Sequence, residues 1–505
     1  MPIIFERHPK ITAFFAGALS ALAFAPHYYI FLAFLSFSTL LYLLIKAPTA
    51  KRAFSVGYCF GFAHFACGFS WVGNALLIDI ARFGWLYPIV LLASGTFFGF
   101  FFAIPATMTF ISKKTWQKWL IFSSGTILFE WIRSFFLTGF PWNLLGYSLA
   151  FNQELIQAAS LGGTYLLSFA ALSGYGIFGL WLAAPSKRRF FEVCLWILIC
   201  FGSLWTFGYQ RIKNAIREQT QTIVRLVQPS IPQKLKWSQD TAENNFQEYL
   251  TLSSKDTGRT PNIIIWGETA SPFRLEADEF HRLEIAKILA KGSYLITGTI
   301  TYQPLDNRLL PHNSIAVITS DGAIAGLYHK SHLVPFGEYI PGRKYLPEFI
   351  RPVANAIGTF GKGSGPQTLR FQNIPSFGGI ICYEVIFPHE VANINNRPEF
   401  LINLTNDGWY GESAGPYQHW IAAKLRAVEE GLPLVRSANN GISGIITPYG
   451  DELQILKLNQ KGISEGVLPR AITPTLYSRY GNWITISFCL ILLFLGIIKV
   501  VKCKN

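Results

Sequence analysis

The sequence predicts a polytopic α-helical membrane domain of eight transmembrane helices that carries an α/β domain. Two observations lead there: eight apolar segments bracket one long polar stretch, and short β-rich runs alternate with helical patterns inside that stretch. Composition agrees, because 50% of the 505 residues are hydrophobic and 14% are charged, with a mean hydropathy of +0.30. Such values are unusual for a purely soluble chain. The formal charge of +14 does not call for a nucleic-acid partner, since many of the basic residues lie between apolar segments rather than on one soluble face.

Seven segments precede residue 210: Ile11 to Pro26, Tyr29 to Ile45, Phe54 to Leu77, Trp85 to Ile111, Trp119 to Phe136, Leu166 to Ala184 and Val193 to Tyr209. The eighth runs from Trp483 to Val501. A helix needs roughly 20 residues to cross the hydrocarbon core, and most of the segments approach or exceed that. The first two are shorter and are separated only by Pro26, His27 and Tyr28, so they read as a tight helical hairpin. Ala-Leu-Ala-Phe-Ala at the end of the first resembles a signal-peptidase site, but the second run follows at once and an uncleaved helix is expected.

Lys and Arg collect at alternate connections: Arg7 and Lys10; Lys46, Lys51 and Arg52; Lys113, Lys114 and Lys118; Lys187, Arg188 and Arg189; and, after the last segment, Lys499, Lys502 and Lys504. The positive-inside rule makes these ends cytoplasmic. The expected organisation is therefore 1–209 as helices one to seven, 210–480 as one extracytoplasmic domain, periplasmic where the cell has a periplasm, and 481–505 as the eighth helix and a cytoplasmic tail. Glu130 and Arg133, on one face of the fifth segment, are expected to pair, either to fix helix packing or to line a polar pocket for a lipid headgroup.

Within the polar stretch, Thr222 to Val227, Asn262 to Ile265, Tyr294 to Thr299, Ser314 to Ile318, Ile380 to Cys382 and Phe400 to Leu404 read as strands. Glu276 to Lys291 and Pro416 to Glu430 read as helices. A stretch of about 260 residues can bury its own core.

Five of the seven cysteines lie in apolar runs and Cys503 lies in the basic tail, which leaves Cys382 alone in the polar stretch. A thiol without a partner is no structural cross-link, although a buried small hydrophobe remains a reading of it. Glu268 follows the run Ile263 to Gly267, Lys330 follows Ile324 to His329, and Cys382 closes Gly378 to Ile381. Strand ends in an α/β fold form a rim where ligands bind. A carboxylate can take the thiol proton, and an ammonium can stabilise both thiolate and oxyanion, so the set describes acyl transfer through a thioester. Taken singly, Glu268 reads equally as a helix-start carboxylate and Lys330 as a solvated surface lysine.

The strings Trp266-Gly267-Glu268-Thr269, Lys330 to Glu338 (KSHLVPFGE) and Cys382-Tyr383-Glu384, in this order and spacing, resemble the Glu, Lys and Cys motifs of the nitrilase superfamily. With Gln228 to Gln233 upstream, Asn406 to Gly411 downstream and apolar segments on both sides, the chain resembles the apolipoprotein N-acyltransferase family from end to end. The resemblance implies an αββα sandwich and a ping-pong reaction, in which Cys382 takes an acyl chain from a phospholipid and yields it to the α-amino group of a diacylated apolipoprotein. By the same resemblance Glu268 is the general base, Lys330 the oxyanion stabiliser, and Trp237, Glu338, Tyr383 and Glu384 match further positions that matter. It also implies a monomer of the bacterial inner membrane with no metal and no cofactor. Glu338 and Glu384 can be read as carboxylates that orient Lys330 and the incoming amine, or as structural groups. Gly267 departs from the proline common in the family, which bears on how rigidly Glu268 is presented.

Other readings compete. A membrane-tethered amidase would use the same three residues with water as acceptor, and a transporter or scaffold would have no use for them. Gly411 to Gly415 fits the G-x-S-x-G elbow, but the preceding run ends near Thr405, and no Asp or Glu stands between Ser413 and His419. His329 and His332 lack a third metal ligand at a recognisable spacing. Gly361 to Gly365 resembles a phosphate loop only in composition and reads as a turn. The apolar stretch from Glu338 to Gly365 is expected to form an arm admitting acyl chains to Cys382, so that charges at Leu346 and Phe349 would impair lipid substrates and spare a soluble acyl ester.

Overall fold

The computed structural model describes residues 6–236, 238–305, 308–343 and 359–498. The chain divides into two compact units: Met1–Asn214 with Tyr480–Asn505, and Ala215–Arg479.

The first unit is helical, with α1 (Pro9–Ser20), α2 (Ile30–Lys46), α3 (Ala50–Gly68), α4 (Tyr87–Phe98), α5 (Phe100–Met108), α6 (Thr115–Arg133), α7 (Ala159–Gly176), α8 (Phe178–Ala183), α9 (Lys187–Lys213) and a last helix, Trp483–Ile497. Large apolar side chains face outward, as with Leu198 on α9 (69% exposed) and Phe494 on the last helix (65% exposed). Rows of this kind are stable against hydrocarbon and costly against water.

Among the described residues, three stretches are long and apolar enough to cross a membrane: Ser70–Ile111, Ala159–Ala183 and Lys187–Lys213. Shorter apolar helices stand at Pro9–Ala23, Ile30–Lys46 and Trp483–Ile497. The expected count of eight is not reached on length and composition. In α6 the reason is polar content turned inward: Lys118 donates to the Ile45 carbonyl at 3.3 Å, and Glu130 and Arg133 are both buried. Glu130 Oε1 accepts from the Leu145 N–H at 2.9 Å, while Arg133 donates to the carbonyls of Phe140 and Trp142 at 2.6 and 2.8 Å. Lys118 thus ties α6 to the end of α2, and Glu130 and Arg133 tie it to the segment that follows it.

The second unit contains two six-stranded sheets. The first orders β12-β1-β2-β3-β4-β5 and the second β11-β10-β9-β8-β7-β6. In chain order these are β1 (Gln219–Gln228), β2 (Ile263–Ile265), β3 (Tyr294–Leu305), β4 (Arg308–Thr319), β5 (Ile324–His329), β6 (Thr368–Leu369), β7 (Phe377–Ile381), β8 (Phe400–Thr405), β9 (Leu434–Ala438), β10 (Ser443–Ile446), β11 (Glu452–Leu456) and β12 (Gly462–Pro469). Side chains alternate along a strand, so Ile263 and Ile265 join a core shared with Ile315, Phe377, Ile402 and Leu404 of both sheets. Ile264 points the other way, into a second core with Phe246, Tyr249, Trp266 and Ile285.

That second core is the contact of α10 (Ala242–Ser253) and α11 (Glu279–Lys287) with the first sheet. The helix α12 (Ala414–Glu430) packs on β9 of the second sheet. The layers are thus helix, sheet, sheet, helix. Strands covered on both faces read as continuous apolar runs, which is why β2, β7 and β8 stand out in the sequence.

Candidate active site

Glu268 stands just past the end of β2, where the backbone keeps bonding to its neighbours. Trp266 N–H donates to the Ile296 carbonyl at 3.0 Å, Gly298 N–H to Gly267 at 3.1 Å, Ala270 N–H to Gly298 at 2.9 Å, and Glu268 N–H to Thr405 of the second sheet at 3.3 Å. A Cβ at Gly298 would come within 2.7 Å of Glu268 Cα, so only glycine lets the two chains approach. These bonds, rather than a proline ring, fix the segment that follows Gly267.

Lys330 is the first residue after β5. Its N–H donates to the Asn313 carbonyl and its own carbonyl accepts from Gly363 N–H, both at 2.8 Å. Its ammonium, 1% exposed, donates to Glu338 Oε1 at 2.9 Å and lies 3.7 Å from Glu268 Oε1. Asn313 Nδ2 donates to both carboxylates, at 2.8 Å to Glu268 and 3.1 Å to Glu338, and Val334 N–H donates to the other Glu338 oxygen at 2.7 Å. Burial works against the ammonium, but the charges of Glu338 and Glu268 outweigh it and hold Lys330 protonated well above its ordinary range.

Cys382 follows the last residue of β7 and opens the short 3₁₀ helix Cys382–Ile386. Its φ of +49° lies in the left-handed region, which costs a non-glycine residue about 1–3 kcal/mol and persists where the surroundings enforce it. The thiol pKa is pushed up to about 12, first by burial and then by the Glu268 carboxylate, against the opposing pull of Lys330. At neutral pH the sulfur therefore keeps its proton until a base removes it. Glu268 is the carboxylate acting on both the thiol and Lys330.

Glu384 has a different setting from Glu338. It accepts from the N–H groups of Ser331 (2.7 Å), His332 (3.1 Å) and Ile381 (2.7 Å), and from the Tyr328 hydroxyl at 2.9 Å. It ties the loop after Lys330 to the strand before Cys382. Tyr383 is buried with its ring edge-on to Phe387, centroids 5.1 Å apart. Trp237 lies outside the described residues, as does 344–358, which holds Leu346 and Phe349 of the expected arm.

A family model described as the apolipoprotein N-acyltransferase N-terminal domain matches residues 16–177, and one described as carbon-nitrogen hydrolase matches residues 223–472. An apolipoprotein N-acyltransferase of Rickettsia typhi is 36% identical over 484 residues, which cover 94% of this chain and 95% of the relative. The chain belongs to the apolipoprotein N-acyltransferase family. Another member, from Rhodopseudomonas palustris, is 34% identical over 494 residues, covering 94% of this chain and 91% of its own length. Among solved structures, an amidase from Nesterenkonia sp. shows a slight likeness, at 16% identity over 50% of this chain and 92% of that one, with a TM-score of 0.37.

In this member of the family, further residues reach the site that were not among the expected site residues. Lys236 donates to the Glu268 carbonyl at 2.8 Å, and burial lowers its pKa to about 8 although Glu268 and Cys382 pull the other way. Asn313, Asp407, His419 and Arg436 are likewise buried in or behind the cluster. A charged residue inside an apolar run, such as Arg436 in Leu434–Ala438, is the signal that could have found it.

The competing motifs have other roles. Ser413 accepts from Gly415 N–H at 3.1 Å and caps α12. His329 Nδ1 lies 2.8 Å from Ser314 Oγ, and His332 Nδ1 lies 3.2 Å from Glu390. The N–H groups of Gly361 and Gly363 donate to the carbonyls of Pro311 and Lys330.

Proposed function

We propose that the chain transfers an acyl chain from a phospholipid to the α-amino group of the N-terminal diacylglyceryl-cysteine of an apolipoprotein, by a ping-pong route through a thioester on Cys382. By family it is an acyltransferase. The observation that carries the reading is the convergence of Glu268, Lys330 and Cys382, from three strand ends in two sheets, into one buried cluster.

In the first half-reaction Glu268 takes the thiol proton as Sγ attacks the ester carbonyl of the phospholipid. The oxyanion is stabilised by the Lys330 ammonium, which Glu338 and Asn313 hold in place. The C–O bond breaks, and the lysophospholipid leaves with the proton from Glu268. In the second half the lipoprotein amine attacks the thioester, Glu268 takes the ammonium proton, and the thiolate leaves and is reprotonated. The route draws on no cofactor and no metal. Tyr383 and Trp237 match further positions that matter in the family and are assigned supporting or substrate-binding roles.

In this reading eight helices cross a bacterial inner membrane, both termini are cytoplasmic, residues 210–480 form the periplasmic catalytic domain, and the protein acts as a monomer. The alternation of basic connections and the apolar outer faces of the helices support it. The test is product analysis with a phospholipid labelled in its acyl chain and a diacylated lipopeptide. The expected products are N-acylated lipopeptide and lysophospholipid in equal amounts. Free fatty acid in place of acylated peptide would mark the amidase alternative.

A further inference from the structure

Behind Cys382 lies a buried polar group that the chemistry above does not use. Asp407, His419 and Arg436 have fully buried side chains. Arg436 Nη2 donates to the Asp407 carboxylate at 2.9 Å, Arg436 Nε donates to the Ile442 carbonyl at 3.2 Å, and the same guanidinium donates to Asn403. His419 Nδ1 lies 2.9 Å from both Asp407 Oδ1 and Arg436 Nη2. Its Nε2 lies 3.1 Å from the carbonyl oxygen of Cys382. Facing an acceptor, Nε2 carries the hydrogen and donates it. Nδ1 is met by the Arg436 donor and the Asp407 carboxylate together, and these two partners fix the plane of the ring.

We propose that His419, fixed by Asp407 and Arg436, is a positioning residue for the acyl transfer, holding the Cys382 carbonyl and with it the direction in which the thiol points. The proposal rests on the reading of Cys382 as nucleophile. The left-handed backbone at Cys382 can relax only by rotation about its N–Cα bond, which carries the carbonyl and the thiol-bearing Cβ together. That rotation swings the carbonyl, and the His419 N–H opposes it. The network reaches the reacting groups by a second route, since the Thr405 hydroxyl donates to Asp407 at 3.1 Å and the Thr405 carbonyl accepts from Glu268 N–H at 3.3 Å. The pocket has little slack, because a Cβ at Gly441 would run into the Asp407 carboxylate. α12, which carries His419, thereby acts on the reaction without touching the reacting atoms.

The test uses the full-length protein in mixed micelles, with kcat and phospholipid KM for the transfer measured beside the melting temperature. His419→Leu removes the donor, and His419→Gln puts an amide N–H near the place of Nε2. The expected result is a fall in kcat of about 10²-fold for His419→Leu with KM within about threefold, and recovery to within about tenfold of the parent in His419→Gln. A kcat for His419→Leu within about threefold of the parent would overturn the proposal. So would equal losses in both variants that track the melting temperature. If the leucine variant does not fold, Asp407→Asn carries the test: a kcat lowered about tenfold at unchanged KM supports the proposal, and full activity overturns it. Cys382→Ala is the control, since activity retained there would remove the nucleophile reading itself, whatever the His419 variants do.

Discussion

Lys330 Nζ rests 2.9 Å from Glu338 Oε1, with both side chains withdrawn from solvent. A buried ammonium is tolerable only while a carboxylate answers it, so Glu338 is a condition for keeping Lys330 charged where an oxyanion would form. The raised proton affinity of Lys330 means that the pair stabilises the fold fully below the unfolded lysine pKa, about 10.4, and loses that contribution as pH climbs through the folded value. Glu338→Gln should therefore destabilise the protein at neutral pH by about 3–5 kcal/mol and bring the alkaline limb of the rate profile to lower pH. Thermal melts and a pH–rate series check both.

The thiol of Cys382 responds to its neighbours with opposite signs. After burial, the Glu268 carboxylate raises its pKa, and the Lys330 ammonium lowers it. Glu268→Gln should leave iodoacetamide alkylation at about pH 8 unchanged or faster while cutting acyl transfer by about 10²–10⁴-fold, the loss of a general base. Lys330→Met should slow alkylation as well as transfer. Equal slowing of alkylation in both variants would contradict the assignment of the base.

Glu384 holds two segments together rather than touching Lys330. Its oxygens accept from Ser331, His332 and Ile381. Glu384→Ala leaves these N–H groups without their acceptor and should cost about 1–3 kcal/mol for each that finds no water. A lower melting temperature with activity lost in parallel is the expected result, in contrast to Glu268→Gln, where activity falls and the fold holds.

The positions of Glu268, Lys330 and Cys382 at strand ends are legible because β2 and β7 are short buried runs and β5 a short edge strand, and a polar residue after such a run marks the rim. Gly267 was less legible. Its consequence for Glu268 depends on Gly298 and Thr405, which lie 31 and 138 positions further on. His419 stood in view only as a partner for Ser413, yet the fold turns it toward Cys382. Contacts across two sheets leave no periodicity to read. The count of eight helices is not reached on length and composition for a similar reason: polar residues of α6 bond to the end of α2 and to the segment that follows α6, which composition cannot show.

Asp407 predicts a signature in acid. Burial would raise its pKa, but Arg436 and His419 outweigh that and hold it at about 2, against about 3.9 in an unfolded chain. The stability it contributes is fully present above about pH 4 and fades as pH falls through 2. The gap in melting temperature between the parent and Asp407→Asn should be wide at about pH 6 and narrower at about pH 3. A constant gap would mean that Asp407 titrates normally.

The most direct test of the account is the site of the covalent intermediate. The protein is incubated with phospholipid alone, digested, and the peptide bearing Cys382 is weighed by mass spectrometry. The account predicts an acyl group on that peptide, released by hydroxylamine, absent from Cys382→Ala, and discharged when a diacylated lipopeptide is added. An adduct on any other residue, or transfer that persists in Cys382→Ala, would contradict it.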